Sequence, residues 1–325
     1  MRYIGSKVSM LTFIDKIISK YFSSGTLCDP FGGIGTVSAY FKQNGYSIIS
    51  GDILNFAHCF QTAKIAINNK QELNIVRLNN FNQYLNGIST QEGWFVQYYA
   101  IERKFFSLEN AYKIQSCINA IWSWYDNELL SNSEYCLLIA SLIDSMDKVA
   151  NTAGTYYAYL KHFTRKAQRP FNFQLLSPII NDTIGEAYLS DALDLVSQCS
   201  CDILYLDPPY NERIYSHYYH LPETIATRII PKPYGLSGIH KHNSIESKFT
   251  KKTLAREAFS KIIQASNCKL LVFHYSDNGL ISNDVILSEL QLIGEVNDVY
   301  CDAKGYTTNS VPAVSKHHIY WVLKS

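Results

Sequence analysis

The chain has 325 residues, and its 29 lysines and arginines against 28 aspartates and glutamates give a formal net charge of +1. Hydrophobic residues make up 47% of the chain and charged residues only 18%, which supplies a folded core and excludes a disordered or fibrous protein. The charge excludes a strongly basic coating protein, but not a local basic groove. We expect no membrane span and no signal peptide, and the eight scattered cysteines favour a reduced, cytoplasmic protein.

The first element with a clear pattern is a strand, turn, helix and strand near the amino terminus. An extended run ends at Asp29, the glycine-rich turn Phe31-Gly32-Gly33-Ile34-Gly35 follows, and Thr36 is predicted to cap the next helix. A second strand over 46–50 has Asp52 at its carboxyl end. This succession predicts one βαβ unit of a parallel sheet.

The middle of the chain has a helical pattern that interrupts the strands. Apolar residues recur at the spacing of one helix face from Ala111 to Tyr125 and again from Leu137 to Val149. Strands return afterwards, so we predict one α/β sheet split by a helical insertion. The predicted strands of this second half cover 187–191, 202–206, 269–275 and 317–323. The predicted boundaries are 1–58 and 180–325 for the sheet domain, 59–179 for the insertion, and 231–250 for a mobile loop.

The glycine turn is the first candidate binding element. Glycines at the carboxyl end of a first strand let the backbone approach a ligand closely, at the edge where open α/β sheets bind cofactors. A dinucleotide fingerprint needs a third glycine where Ser38 stands, so the pattern argues against NAD. Asp52 suits the two hydroxyls of a ribose, and the turn with Asp52 predicts nucleoside binding. A plain tight loop is the alternative for the turn alone.

The second candidate element is Asp207-Pro208-Pro209-Tyr210, which follows a strongly apolar strand. Two successive prolines cannot continue a sheet ladder, so they form a stiff bend that leaves carbonyl groups unpaired. A carboxylate, free carbonyls and an aromatic ring together suit a planar heterocyclic amine. The alternative is a proline turn with a solvated aspartate, which does not explain an acid directly after Ile-Leu-Tyr-Leu.

These motifs carry a resemblance to a known family. The segment Asp29 to Gly35 is similar to the S-adenosylmethionine motif of amino-methylating DNA methyltransferases, and Asp207 to Tyr210 is similar to their catalytic motif. Arg2-Tyr3-Ile4-Gly5-Ser6-Lys7 resembles the additional cofactor motif that Dam-type enzymes place first. The order matches Dam-type N6-adenine-specific DNA methyltransferases. The resemblance is closest to modification methyltransferases of the FokI type, through Asn151-Thr152-Ala153-Gly154-Thr155-Tyr156 and Asn211-Glu212-Arg213.

The resemblance implies a Rossmann-like, S-adenosylmethionine-dependent methyltransferase sheet with an inserted, mainly helical target-recognition domain. It implies transfer of a methyl group to the N6 amine of an adenine flipped out of duplex DNA. Catalysis would fall to Asp207, Pro208, Pro209 and Tyr210. The cofactor would be bound by Tyr3, Lys7, Asp29, Phe31, Gly33, Gly35, Asp52 and Asp191. For Asp191, a role as the cap of the following helix is an equally good interpretation.

Contacts with DNA are predicted for a basic cluster and one tyrosine. We interpret the basic cluster as a set of contacts with DNA phosphates. The alternative is an ordinary helix face exposed to solvent. Cys199-Ser200-Cys201 has no second pair or histidine near it in sequence, so we predict no metal site. The predicted DNA contacts are Lys161, Arg165, Lys166, Arg169 and Tyr215.

Three functions stay open on the sequence. A site-specific DNA adenine-N6 methyltransferase of a restriction-modification system is favoured, acting on double-stranded DNA as a monomer or weak dimer, with a cognate endonuclease as a further partner. Methylation of RNA adenine or of a protein glutamine amide poses the same chemical problem, although Asp207 and the insertion argue against glutamine. A non-catalytic DNA-binding specificity subunit of the same fold is the third alternative.

Overall fold

The computed structural model describes residues 1–239, 245–304 and 314–324. The chain divides into two compact units. The helical unit contains Met1–Ile4, Leu54–Ile180 and Tyr215–Ile245, and the sheet unit contains Gly5–Ile53, Asn181–Ile214 and Glu246–Ser325.

The helical unit is larger than the predicted insertion, 59–179, because two further segments pack with it. The amino group of Met1 pairs with the carboxylate of Asp144, and the backbone N–H of Ile4 donates to the hydroxyl of Tyr219 over 2.7 Å. These contacts hold the first four residues and the segment after the Asp-Pro-Pro-Tyr motif in the helical unit. The domain boundaries 1–58 and 180–325 stay a prediction.

The helices and strands of the described residues are as follows. The α-helices are α1 Leu11–Ile18, α2 Thr36–Gln43, α3 Asn55–Gln61, α4 Ile75–Gly87, α5 Trp94–Val96, α6 Leu108–Asp126, α7 Asn132–Asp147, α8 Ala192–Gln198, α9 Tyr215–Tyr218, α10 His220–Thr227, α11 Lys252–Ala265 and α12 Asn283–Gln291. The strands are β1 Gly25–Asp29, β2 Tyr46–Asp52, β3 Gly185–Leu189, β4 Cys201–Leu206, β5 Cys268–Ser276, β6 Val296–Lys304 and β7 Val314–Leu323.

The seven strands form one sheet in the order β3-β2-β1-β4-β5-β7-β6. The strands from β3 to β5 pair in parallel, and β7 runs antiparallel to both of its neighbours. The run Ile203 to Leu206 of β4 is at most 1% exposed, as expected for a parallel strand covered on both faces. This is the predicted Rossmann-like α/β sheet.

The strand order reverses between β1 and β4, and this reversal fixes where a ligand binds. From β1 the chain builds outward through β2 and β3, and it then returns to place β4 against the other side of β1, with Leu27 opposite Ile203. In open α/β sheets the crevice outside the carboxyl ends of the strands at such a switch point is the usual ligand site. Asp29, Asp52 and Asp207 all lie at this edge.

Two features of the sheet unit differ from the sequence prediction. Thr36 does not cap α2, because Gly35, in the left-handed conformation with φ of 70°, is the residue that leads into the helix. The prediction also missed β6, an edge strand that pairs only with β7 and carries polar residues. Edge strands of this kind lack the apolar pattern of central strands.

The predicted loop, 231–250, is covered only in part. Residues 240–244 lie outside the described residues. Tyr234 and Ile239 form an isolated antiparallel bridge, and Lys248–Thr250 is a short 3-10 helix.

The helical unit is built around α6 and α7, whose inner faces carry the apolar pattern seen in the sequence. Ile114, Ile118 and Ile121 of α6 and Leu138 and Leu142 of α7 are fully buried. None of the helices in the described residues has both the length and the apolar character that a bilayer crossing requires.

The segment after α7 has no helix, and the side chain of Asn151 organises it. This side chain is fully buried, donates to the carbonyl oxygens of Lys104 and Leu160 over 3.0 and 2.9 Å, and accepts from the N–H of Thr164 over 3.1 Å. A buried amide with all of these partners fixes the course of the chain through residues 151–164.

We predict that Asn151→Ala lowers the free energy of unfolding by about 3 kcal/mol, because it leaves several buried backbone groups without a partner. Asn127→Ala is the matched control, since Asn127 is exposed at the end of α6 and bonds only to Ser123, and it should cost less than about 1 kcal/mol. Urea unfolding followed by circular dichroism measures both. Equal losses for the two variants would contradict the role of Asn151.

Candidate active site

The glycine turn after β1 is fastened to the end of β2. The N–H of Gly32 donates to the carbonyl of Gly51 over 2.9 Å, and the N–H of Gly33 donates to Asp52 Oδ2 over 3.0 Å. Gly33 and Gly35 have φ values of 51° and 70°, a region that favours glycine. The sequence therefore supplies glycine where the turn requires it, and Asp52 orients the turn as well as facing the site.

Asp29 is almost completely buried beside this turn. Its side chain is 2% exposed, and the hydroxyl of Ser38 donates to Asp29 Oδ2 over 2.8 Å. The pKa of Asp29 is raised to about 7, mainly by burial and in addition by the negative charges of Asp207 and Asp52. The bond from Ser38 and the charge of Lys7 oppose this rise. Ser38, which the sequence marked only as a missing glycine, is thus the residue that holds Asp29.

Asp207 forms an ion pair with Lys7. Lys7 Nζ lies 2.6 Å from Asp207 Oδ2 and also donates to the carbonyl of Gly5 over 3.0 Å. Both side chains are largely buried, at 6% and 14% exposure. Burial raises the pKa of Asp207, and the charge of Lys7 works against that rise. The contact uses one carboxylate oxygen, and Oδ1 lies outside it.

The ring of Tyr210 is held from two sides. His317 meets it edge to face at 5.7 Å between ring centroids, and Tyr275 does so at 6.3 Å. The N–H of Leu280 donates to the backbone carbonyl of Tyr210 over 3.1 Å. The bend after β4 therefore presents its aromatic ring in one fixed orientation.

A pair of buried histidines lies next to Tyr210, and the sequence analysis did not predict this pair. His274 Nδ1 lies 3.0 Å from the hydroxyl of Tyr205, and His274 Nε2 lies 2.9 Å from His317 Nδ1. Burial lowers the pKa of His317 to about 4 and lowers that of His274 well below its ordinary value, with the charge of Lys7 adding to both effects. Both rings are consequently neutral at neutral pH. Only the pairing of β5 with β7 brings them together.

Two other predicted cofactor residues of the sheet unit have structural contacts. The Asp191 side chain accepts from the N–H of Leu193 and caps α8, so the capping interpretation is correct and the cofactor role stays a prediction. Phe31 packs edge to face against Phe249 at 5.2 Å.

Tyr3 and Tyr215 come together in the helical unit. The ring of Tyr3 stacks on Tyr219 at 5.0 Å and lies 5.9 Å from the ring of Tyr215 and 6.3 Å from that of Phe56. Tyr219 is fully buried, and His220 is 2% exposed. Tyr3 and Tyr215 are therefore parts of one aromatic cluster.

The basic cluster lies in an irregular segment, so the solvated helix face considered for it is wrong. Lys161, Arg165 and Arg169 are exposed, and Lys166 is half-buried. Asn110 Nδ2 donates to the carbonyl of Arg169 over 2.9 Å and so fixes the far end of this segment. The cluster presents its charges on a loop whose backbone is bonded at both ends.

The sheet unit thus gathers three carboxylates and one lysine at the switch point of a parallel sheet. Asp29, Asp52, Asp207 and Lys7 leave a surplus of negative charge in a largely buried place, which favours a cationic ligand. The fold and this site define an α/β protein with a candidate ligand site at the carboxyl ends of its strands.

Comparison with protein families narrows this class. Residues 3–286 match the description "D12 class N6 adenine-specific DNA methyltransferase", and the chain belongs to that family. This confirms the family that the three sequence motifs indicated.

Curated relatives agree with this assignment. The chain is similar to type II methyltransferase M.FokI of Planomicrobium okeanokoites, at 32% identity over 90% of this chain and 47% of the relative. It is similar to modification methylase StsI of Streptococcus sanguinis, at 31% identity over 96% of this chain and 50% of the relative. Similarity to type II methyltransferase M.NlaIII of Neisseria lactamica is 30% over 92% and 87% of the two chains. The chain thus spans about half the length of the first two relatives.

The assignment rests on these sequence relatives. A crystal structure from Thermoplasma acidophilum covers 99% of this chain, but at 9% identity and a TM-score of 0.34 it adds nothing to the argument.

We predict that Asp29 makes stability depend on pH. Because its folded-state pKa of about 7 lies above its ordinary value of 3.8, the stability from the bound proton is complete below pH 3.8 and is lost as pH rises through about 7. Wild type should therefore lose up to about 4 kcal/mol relative to Asp29→Asn between about pH 4 and about pH 8. Both proteins contain His274 and His317, so their titration cancels in the difference. Urea unfolding across this range measures it, and a constant difference would contradict the burial of an ionisable Asp29.

Proposed function

We propose that this protein transfers a methyl group from S-adenosylmethionine to the N6 amine of an adenine in double-stranded DNA, as the modification enzyme of a restriction-modification system. The observation that carries the proposal is the meeting of Lys7, Asp29, Asp52 and Asp207 at the carboxyl ends of three adjacent strands. We place the protein in the cytoplasm, acting as a monomer or weak dimer, with a cognate endonuclease in the same system.

The charges and the turn suit S-adenosylmethionine. When bound, this cofactor supplies a methyl group activated by a sulfonium. Its positive groups offset the surplus of carboxylates at Asp29, Asp52 and Asp207, and the glycine turn offers backbone without side chains. Asp52 would hold the ribose, with Phe31, Gly33 and Gly35 beside the methionine part. Lys7 and Asp191 complete the proposed set in the sheet unit, and Tyr3 stays a proposed cofactor contact by itself.

The residues of the bend would prepare the adenine amine. This amine is a poor nucleophile because its lone pair is delocalised into the ring. Asp207 and the carbonyl of Pro208 would accept its two N–H groups, which favours a pyramidal nitrogen with a localised lone pair. Lys7 holds Oδ2 of Asp207, and Oδ1 lies outside that contact, where it can accept from the amine and then take the proton that the amine loses.

The base must leave the duplex to reach this bend, at a cost of a few kcal/mol. The ring of Tyr210, fixed by His317 and Tyr275, would stack on the extruded adenine, and Pro209 would stiffen the bend. Tyr215 stays a proposed contact with DNA. The helical unit, with the exposed basic segment 161–169, would contact the DNA and recognise the target sequence.

A methyl-transfer assay tests the proposal. Protein is incubated with S-adenosylmethionine labelled in the methyl group and with duplex DNA, ribosomal RNA or a methylase-free protein lysate. Label in DNA, recovered as N6-methyladenine, supports the proposal. Label only in RNA or protein would refute the substrate, and tight DNA binding without any transfer would identify a non-catalytic specificity subunit.

We predict that Asp207→Ala lowers the rate of methyl transfer by at least about 1000-fold while cofactor affinity stays within about tenfold, because Asp207 acts on the amine. Asp284→Ala, an exposed aspartate in the first turn of α12, is the control and should keep wild-type activity. Single-turnover kinetics and equilibrium dialysis of the labelled cofactor separate the two quantities. An active Asp207→Ala enzyme would overturn the assignment.

We predict that the double variant Lys161→Glu, Arg165→Glu weakens DNA binding at least about tenfold and lowers the slope of log affinity against log salt by about 2, because two phosphate contacts are lost. Lys70→Glu, an exposed lysine of the same unit, should change neither quantity. Fluorescence anisotropy with a labelled duplex at several salt concentrations measures both. Unchanged binding by the double variant would show that this segment faces solvent only.

A further inference from the structure

Three cysteines converge in the core of the sheet unit, although the sequence predicted no metal site. Cys201 is the first residue of β4, and Cys199 lies two residues before it. Cys28 belongs to β1, 171 residues before Cys199. The three Sγ atoms all lie within 4.8 Å of one another, and those of Cys28 and Cys199 are 3.5 Å apart. Within the described ranges, this is the one group of three metal-ligating side chains gathered so closely.

We propose that Cys28, Cys199 and Cys201, the thiol triad, bind one thiophilic divalent cation, with Zn²⁺ as the ordinary occupant. Sulfur atoms that share a tetrahedral Zn²⁺ at Zn–S distances of about 2.3 Å stand about 3.8 Å apart. The separation between Cys28 and Cys199 is 3.5 Å, and all three Sγ atoms lie within 4.8 Å of one another, so side-chain rotations of small amplitude would bring all three to a common ion. Thiolates are the ligands that soft and borderline cations prefer.

The surroundings leave one side of the triad open. Cys28 is fully buried and Cys201 is 9% exposed, whereas Cys199 is half-buried and gives access from solvent. Outside the triad, the Sγ atoms of Cys199 and Cys201 make long contacts with the carbonyls of Val196 and Asn267, at 3.8 and 4.0 Å. Binding would form three S–Zn bonds, release the thiol protons to solvent and leave a fourth position for water.

The number of thiols favours a cation over a disulfide. A disulfide between Cys28 and Cys199 would bond two sulfur atoms and leave the Sγ atom of Cys201 outside that bond. One metal ion would be bound by all three sulfur atoms. The triad contains none of the residues assigned to the cofactor or the base, so this site is independent of the proposed methyl transfer.

A fourth cysteine of the same core provides the matched control. Cys268 on β5 lies opposite Cys201 in the strand pairing and is 8% exposed, but it is outside the triad. A Cys268→Ser variant therefore removes a buried thiol next to the site without removing a ligand. Cys199→Ser is the main test, because Cys199 is the least buried of the three and its replacement disturbs the core least.

The experiment uses the full chain, reduced and freed of metal, and titrates it with Zn²⁺ against a chromophoric chelator and with Cd²⁺ followed by thiolate charge-transfer absorption. We expect one ion per chain for wild type and for Cys268→Ser. Affinity should fall more than about 100-fold in Cys199→Ser and in Cys201→Ser, beyond the usual effect of an outer-shell substitution.

Three results would overturn the proposal. The first is that the reduced wild type does not bind one metal ion per chain. The second is that Cys199→Ser binds the ion as well as wild type does. The third is that Cys268→Ser loses as much affinity for the ion as Cys199→Ser does. A parallel sample treated with peroxide and mapped by mass spectrometry identifies a Cys28–Cys199 disulfide. If such a disulfide forms while the reduced protein takes up no ion, the triad is a redox pair and not a metal site.

Discussion

The parallel pairing of β1 with β4 is the constraint on which the site depends. Leu27 lies opposite Ile203 and Cys28 opposite Leu204, so two segments separated by most of the chain end at one edge of the sheet. The strand order reverses at this point, and open α/β sheets form their ligand crevice at the carboxyl ends of the strands there. The glycine turn and the Asp-Pro-Pro-Tyr bend are neighbours for this reason alone.

Charge compensation decides how these neighbours behave. Three carboxylates near one another in a buried place repel, and Lys7 offsets the charge of only one of them through its contact with Asp207. Burial is the main cause that raises the pKa of Asp29, and the neighbouring carboxylates add to the rise, whereas the neutral histidine pair beside Tyr210 adds polarity without adding charge. The site is thus balanced for a ligand that brings positive charge of its own.

Sequence patterns with local causes were predictable, and those with tertiary causes were not. The βαβ unit around the glycine turn, α6, α7 and the central strands follow from periodicity and turn residues, and the structure confirms them. The family follows from three motifs in a fixed order. The bond from Ser38 to Asp29 and the Tyr205–His274–His317 chain join residues from separate elements, so no local spacing reveals them. The thiol triad was not predicted for the same reason, because Cys28 is 171 residues from Cys199 in sequence. The individual roles of the cofactor and base residues stay predictions.

The bonds from Gly32 to Gly51 and from Gly33 to Asp52 have a thermodynamic consequence for whatever binds there. They order the turn in the free protein, so ligand binding does not have to order a flexible loop. The turn therefore loses little conformational entropy on binding. The turn should accordingly be rigid before the ligand arrives, and any conformational adjustment on binding should occur in the ligand.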